Sequence, residues 1–131
     1  MRLRINIAIS LVALIAICWG VRFAVAQERR QTPEFLQAKY QELNRTFFHN
    51  QLPPVQIDWA DLTEENRVGK TYLKEGNSFV ILVDRDTNVR DGELADTVEH
   101  ETCHVVTWRQ EEDPHGRRFR ACMFRIKANK H

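Results

Sequence analysis

Between Thr32 and Asn50, Leu36, Tyr40, Leu43 and Phe47 recur at three- and four-residue intervals, the spacing that lines one face of a helix. Thr32-Pro33-Glu34 supplies a capping hydroxyl, a proline tolerated in the first turn and an acid at the positive end, so the helix is expected to start there. It should stop near His49-Asn50, ahead of Leu52-Pro53-Pro54. The period then changes to two. Val55, Ile57 and Trp59 alternate with polar residues, as in a half-buried strand. Residues 61–67 form a polar loop, and Val68 to Leu73, with Gly69 inside it, is a weaker strand. After a turn at Glu75-Gly76-Asn77, the run Phe79 to Val83 is continuously apolar and rich in β-branched residues, which points to a buried strand. Leu94, Val98 and Val105 mark one face of a second helix, about Glu93 to Arg109. A loop, Gln110 to Pro114, leads to a third helix begun by His115, on which Phe119, Cys122, Met123 and Ile126 form an apolar stripe. One α+β domain is expected: an N-terminal helix, a short three-stranded sheet and two further helices.

The first 26 residues stand apart. Arg2 and Arg4 precede an apolar run from Ile5 to Val21, and Ala24-Val25-Ala26 places small residues before Gln27. A basic start, an apolar middle and a small-residue end are the zones of a secretory leader. Residues 1–26 are therefore expected to be a signal peptide, with the working domain at 27–131. The alternative is an uncleaved anchor through residues 5–21, a run at the lower limit for spanning a bilayer. Both readings export the remainder, to a secreted or periplasmic location, and only the second leaves it on a membrane. Lipidation of Cys18 is disfavoured by the bulky Ile17 before it.

Composition, at 43% hydrophobic and 28% charged, is that of an ordinary globular chain. The leader changes the charge picture. Taking Arg2, Arg4 and Arg22 from the 19 basic residues leaves 16 against 18 acidic, a net of −2. No global basic charge then invites nucleic acid, and none is expected as a partner. Arg117, Arg118, Arg120, Arg125, Lys127 and Lys130 do make the last helix basic. That pattern reads as a solvated face whose cations complement the helix dipole. Beyond Cys18, Cys103 and Cys122 are one possible pair rather than a disulfide framework. They are expected as two small buried residues.

The chemistry is concentrated at His100-Glu101-Thr102-Cys103-His104. Histidines four apart project from nearly the same side of a helix, so two imidazoles can meet one ion. Glu101 lies about 100° around the helix from His100 and can face a water on that ion without ligating it. A catalytic zinc takes three protein ligands and keeps one position open. His115, held in a tight turn by Pro114 and Gly116, is the preferred third ligand. Glu111, Glu112 and Asp113 are the other candidates. His49 reads as a surface residue, and His131 is terminal.

Thr97 to His104, followed by His115-Gly116-Arg117-Arg118-Phe119, resembles the SprT-like metallopeptidase family, to which the Spartan proteases belong. Leu43-Asn44 to Phe48 with Asn50-Gln51-Leu52-Pro53 resembles that family's first helix and its exit, and Ile57-Asp58-Trp59 its first strand. The resemblance covers about residues 35–126. It implies a zincin-like α+β domain, His115 as third ligand, Zn²⁺ as cofactor and hydrolysis of protein or peptide substrates. The family's best-known members cut proteins attached to DNA, often with added zinc-ribbon segments. This chain has no Cys-x-x-Cys pair and has a leader, which argues against that role.

The expected activity is zinc-dependent endopeptidase cleavage with Glu101 as general base. The rivals are a zinc-binding domain without catalysis and, were the leader misread, a cytosolic DNA-associated protease. Tyr72 or a nearby Arg could stabilise the oxyanion; the sequence assigns neither.

Overall fold

Thr32 caps the first helix, α1 (Pro33–Phe48), by accepting the Phe35 N–H at 3.3 Å. The computed structural model that shows this describes residues 15–17, 19–24 and 31–130. Leu36, Tyr40, Leu43 and Phe48 are buried, and Phe47 is half-buried. The helix ends because His49 and Asn50 turn left-handed, with φ of 54° and 60°. Three bonds steer the exit. Asn50 N–H reaches the Asn44 carbonyl at 3.0 Å, Leu52 N–H reaches Asn44 Oδ1 at 3.0 Å, and Tyr40 donates to the Pro53 carbonyl at 2.8 Å.

Three strands follow: β1 (Val55–Ala60), β2 (Gly69–Lys74) and β3 (Ser78–Asp84), in the spatial order β1-β3-β2. β1 runs parallel to β3, with Ile57 opposite Ile81, and β2 runs antiparallel, with Thr71 opposite Ile81. Neighbouring side chains on a strand point to opposite faces. Val80 and Ile81 are both buried, so both faces of the central strand are covered, as its unbroken apolar run requires.

The stretch read as a polar loop contains a buried residue, Leu62, and a short 3₁₀ turn at Thr63–Glu65. Asp84, 1% exposed, organises it. Its carboxylate accepts the Leu62 N–H at 2.8 Å and the Thr87 N–H and O–H at 2.9 and 2.7 Å. Burial alone would raise the Asp84 pKa. The bonds from Leu62 and Thr87, with a further one from the Asp86 N–H, outweigh it and hold the group below its ordinary value.

Helix α2 (Asp91–Val106) packs against α1, β2, β3 and the last helix, α3 (Arg117–Ala128). Leu94, Val98 and Val105 are buried as expected, and so are Thr97, Glu99, Glu101, Thr102 and Cys103. On α3, Phe119, Cys122 and Ile126 are buried and Met123 is half-buried. Two expectations are corrected. Cys103 and Cys122, taken as separate buried residues, form a disulfide with Cα atoms 5.8 Å apart. They lie where α2 and α3 touch, at a separation a bridge can span, and no feature of the sequence reports that distance. The last helix starts at Arg117, not His115, which occupies the turn before it.

The cations on and just beyond α3 are exposed, as expected, and several also have partners within the domain. Arg118 bonds Gln110, Arg120 bonds the His115 carbonyl, Arg125 lies over the Phe48 ring and Lys130 pairs with buried Glu99. The chain divides into two compact units, Met1–Gln31 and Thr32–His131. In the first, residues 15–17 and 19–24 are helical, with Trp19 and Phe23 exposed; the rest of the expected leader lies outside the described residues. Among the described residues no helix is long and apolar enough to cross a membrane.

Candidate functional site

His100 and His104 stand one turn apart on α2, and the turn ahead of α3 brings His115 to them. The three Nε2 atoms form a triangle with every edge 3.1 Å. That turn is built by local bonds. Asp113 Oδ1 accepts the His115 N–H at 2.9 Å, and the Asp113 carbonyl accepts the Gly116 N–H at 2.9 Å. Gly116 caps α3 without a side chain, so Glu111 does that work by accepting the Arg118 and Phe119 N–H groups at 2.7 and 3.2 Å. A Cβ on Gly116 would lie 2.6 Å from the Glu111 carboxyl, so only glycine lets the two approach. Glu111 and Asp113, rival candidates for the third ligand, are thus engaged with backbone while His115 converges with the histidines.

Beneath the triangle lies Phe119. Its ring centroid is 4.8, 4.6 and 4.7 Å from those of His100, His104 and His115. One buried aromatic therefore supports all three imidazoles, at distances usual for ring pairs. Burial, then the charges of His100 and His115, pushes the His104 pKa down to about 4. Burial, then His115 and Lys127, lowers that of His100. At neutral pH these two rings are neutral, the form whose nitrogen can ligate a metal.

The donor set fits a metal ion. Three Nε2–H groups aimed at one point would repel, whereas three lone pairs aimed there suit a cation. Nitrogens bonded at 2.0–2.1 Å to a tetrahedral ion lie about 3.3–3.4 Å apart, close to the 3.1 Å edges. These histidines are a group that could hold a metal. His49 is exposed at the end of α1, and His131 lies outside the described residues.

Glu101 is 4% exposed and turns towards the sheet. Thr71 Oγ1, on β2, lies 2.6 Å from Glu101 Oε2 and 3.2 Å from the Glu101 carbonyl oxygen. Burial raises the Glu101 pKa, and the Thr71 bond and the Arg67 charge oppose the rise. The histidines and Glu101 open onto a cleft of roughly 470 Å³ whose other wall is Asn66, Arg67, Val68 and Gly69. Arg67 is the arginine on this lining. Tyr72 is not part of this lining; it follows Thr71 on the strand and points to the opposite face. Sequence reasoning missed Thr71 altogether. Gly69 carried a signal, since a glycine inside a strand marks a close approach.

The model of the SprT-like family matches residues 36–131. No protein of curated function matches the chain.

Proposed function

The chain belongs to the SprT-like family, and from that premise we propose that it is a zinc-dependent endopeptidase with a zincin-like fold. The observation that carries the proposal is the 3.1 Å triangle of His100, His104 and His115 on one cleft with the buried carboxylate of Glu101. The three histidines would hold the ion. Zn²⁺ is the assignment because three imidazoles with one open position are a catalytic zinc set. When bound, it polarises a carbonyl and acidifies a coordinated water.

The remaining work falls to the protein. Glu101 accepts the proton of the attacking water and returns it to the leaving amine. Arg67, which lines the cleft, would supply the positive charge that faces the oxygen of the scissile carbonyl. The substrate class is protein or peptide, cut within the chain, because the cleft is open rather than a closed pocket for one small molecule. No nucleic acid is required.

The proposal includes export, by cleavage of residues 1–26 or by retention as an anchor. Two features support it: the three zones of the leader, and the Cys103–Cys122 disulfide, since such bonds persist mainly in oxidising compartments. The deciding experiment is Glu101→Gln. Zinc content should stay at the wild-type value while cleavage of an unfolded protein falls by about 10²–10⁴-fold, the usual contribution of a general base. Cleavage that survives in the variant would refute the assigned base. Zinc bound by a wild type that cuts nothing would favour a metal-binding domain without catalysis.

A further inference from the structure

A glutamate on a helix has three rotatable bonds, and a general base works only when its oxygen is aimed at the proton it takes. On β2 two alternate residues, which share a face of the strand, meet Glu101. Thr71 gives its hydroxyl proton to Oε2 at 2.6 Å, the shorter of two acceptors on one residue, the other being the Glu101 carbonyl oxygen at 3.2 Å. Gly69, two residues earlier, lies against the other oxygen. A Cβ there would sit 2.8 Å from Oε1, 2.9 Å from Cγ and 2.8 Å from Thr97 Cγ2, a collision with packed atoms on α2.

We propose that Thr71 is a positioning residue for the Glu101 carboxylate and that Gly69 is the space the carboxylate requires. Resting on the endopeptidase reading, this assigns β2 a task beyond lining the cleft. The Thr71 hydroxyl occupies Oε2 and leaves Oε1, the oxygen beside Gly69, to exchange the proton. The strand can do this because it is an edge strand of the sheet, paired to β3 on one side only, and it packs against α2. Its partner register, with Thr71 opposite the fully buried Ile81, fixes how far along the helix the hydroxyl reaches.

The test compares wild type, Thr71→Ser, Thr71→Val and Gly69→Ala by crystal structure, zinc content and steady-state kinetics on an unfolded protein. Serine keeps the hydroxyl, so the carboxylate should stay within about 3 Å of it, with kcat close to wild type. Valine keeps the shape and removes the donor. The carboxylate should rotate away and kcat should fall about 10- to 100-fold, the scale of a misplacement near 1 Å, with KM and zinc content unchanged. Gly69→Ala should displace the same carboxylate by contact alone. A Thr71→Val protein with its carboxylate in place, or with kcat unchanged, overturns the proposal. Absence of cleavage by the wild type would sink the endopeptidase reading instead, and the position of Glu101 in the variant structures would still decide whether Thr71 holds it.

Discussion

The Cys103–Cys122 disulfide ties the helix bearing His100 and His104 to the helix that His115 leads into, between Cα atoms 5.8 Å apart. Cys122 lies one turn beyond Phe119, the ring under the three histidines. The bond therefore staples the two halves of the site. Closing a loop of 19 residues in sequence stabilises by about 2–4 kcal/mol. Cys103→Ser or Cys122→Ser, or reduction of the wild type, should lower the melting temperature and weaken zinc binding, while both serine variants stay folded at low temperature. Thermal melts and zinc titrations with and without reductant, with thiol labelling to confirm reduction, check this. Unchanged melting once both thiols are labelled would remove the staple from the account.

The elements were legible because each has a period. Leu36, Tyr40 and Leu43 announce α1, and the run Phe79 to Val83 announces a central strand buried on both faces. Part of the histidine cluster was legible because His100 and His104 are four apart on one helix. What was not legible depends on pairing in space. The Cys103–Cys122 bond requires knowing that α2 and α3 touch. Thr71 meets Glu101 only through the hairpin register that sets Thr71 opposite Ile81. Leu62 and Asp84 lie 22 residues apart and share a hydrogen bond, so a segment that looked like solvent loop is anchored by a buried acid.

Asp84 makes the stability of that anchor pH-dependent. Its folded pKa is held below the ordinary carboxylate value. The unfolded chain therefore binds the proton more readily, and the contribution is fully present above about pH 4, the unfolded pKa. It is lost as the pH falls through the folded value. Asp84→Asn should destabilise by about 2–4 kcal/mol at neutral pH, because an amide keeps only one acceptor oxygen and must turn its NH2 towards the N–H group of either Leu62 or Thr87. Urea unfolding of both proteins at pH 7 and pH 3 should show the gap narrowing in acid. A gap that does not change with pH would mean that the carboxylate charge contributes nothing there.

The proposed export has a simple signature. Cleavage after Ala26 makes Gln27 the new N-terminus, and the loss of Arg2, Arg4 and Arg22 makes the mature chain more acidic. Mass spectrometry of the protein from a secreting host should find that end, with Cys103 and Cys122 oxidised. An intact Met1 in the membrane fraction would favour the anchor. An intact Met1 on a soluble cytosolic protein would contradict export.

The third ligand is the last point that substitution can decide, because His115 and Glu111 sit in one turn with different tasks. His115 is exposed, and its side chain meets the other two histidines and the Phe119 ring. His115→Ala therefore removes a donor and leaves Phe119, Cys122 and Ile126 in the core. Zinc affinity should fall by more than the roughly 10–100-fold typical of losing a group that only supports a ligand, with melting of the metal-free protein nearly unchanged. Glu111→Ala should do the reverse. Its carboxylate caps α3 through the Arg118 and Phe119 N–H groups, so its loss should cost about 0.5–2 kcal/mol of stability while one zinc still binds. Paired zinc titrations and thermal melts on the two metal-free variants separate the roles. If His115→Ala binds zinc as tightly as the wild type and Glu111→Ala does not, the ligand is the carboxylate, and the turn that presents His115 serves the fold alone.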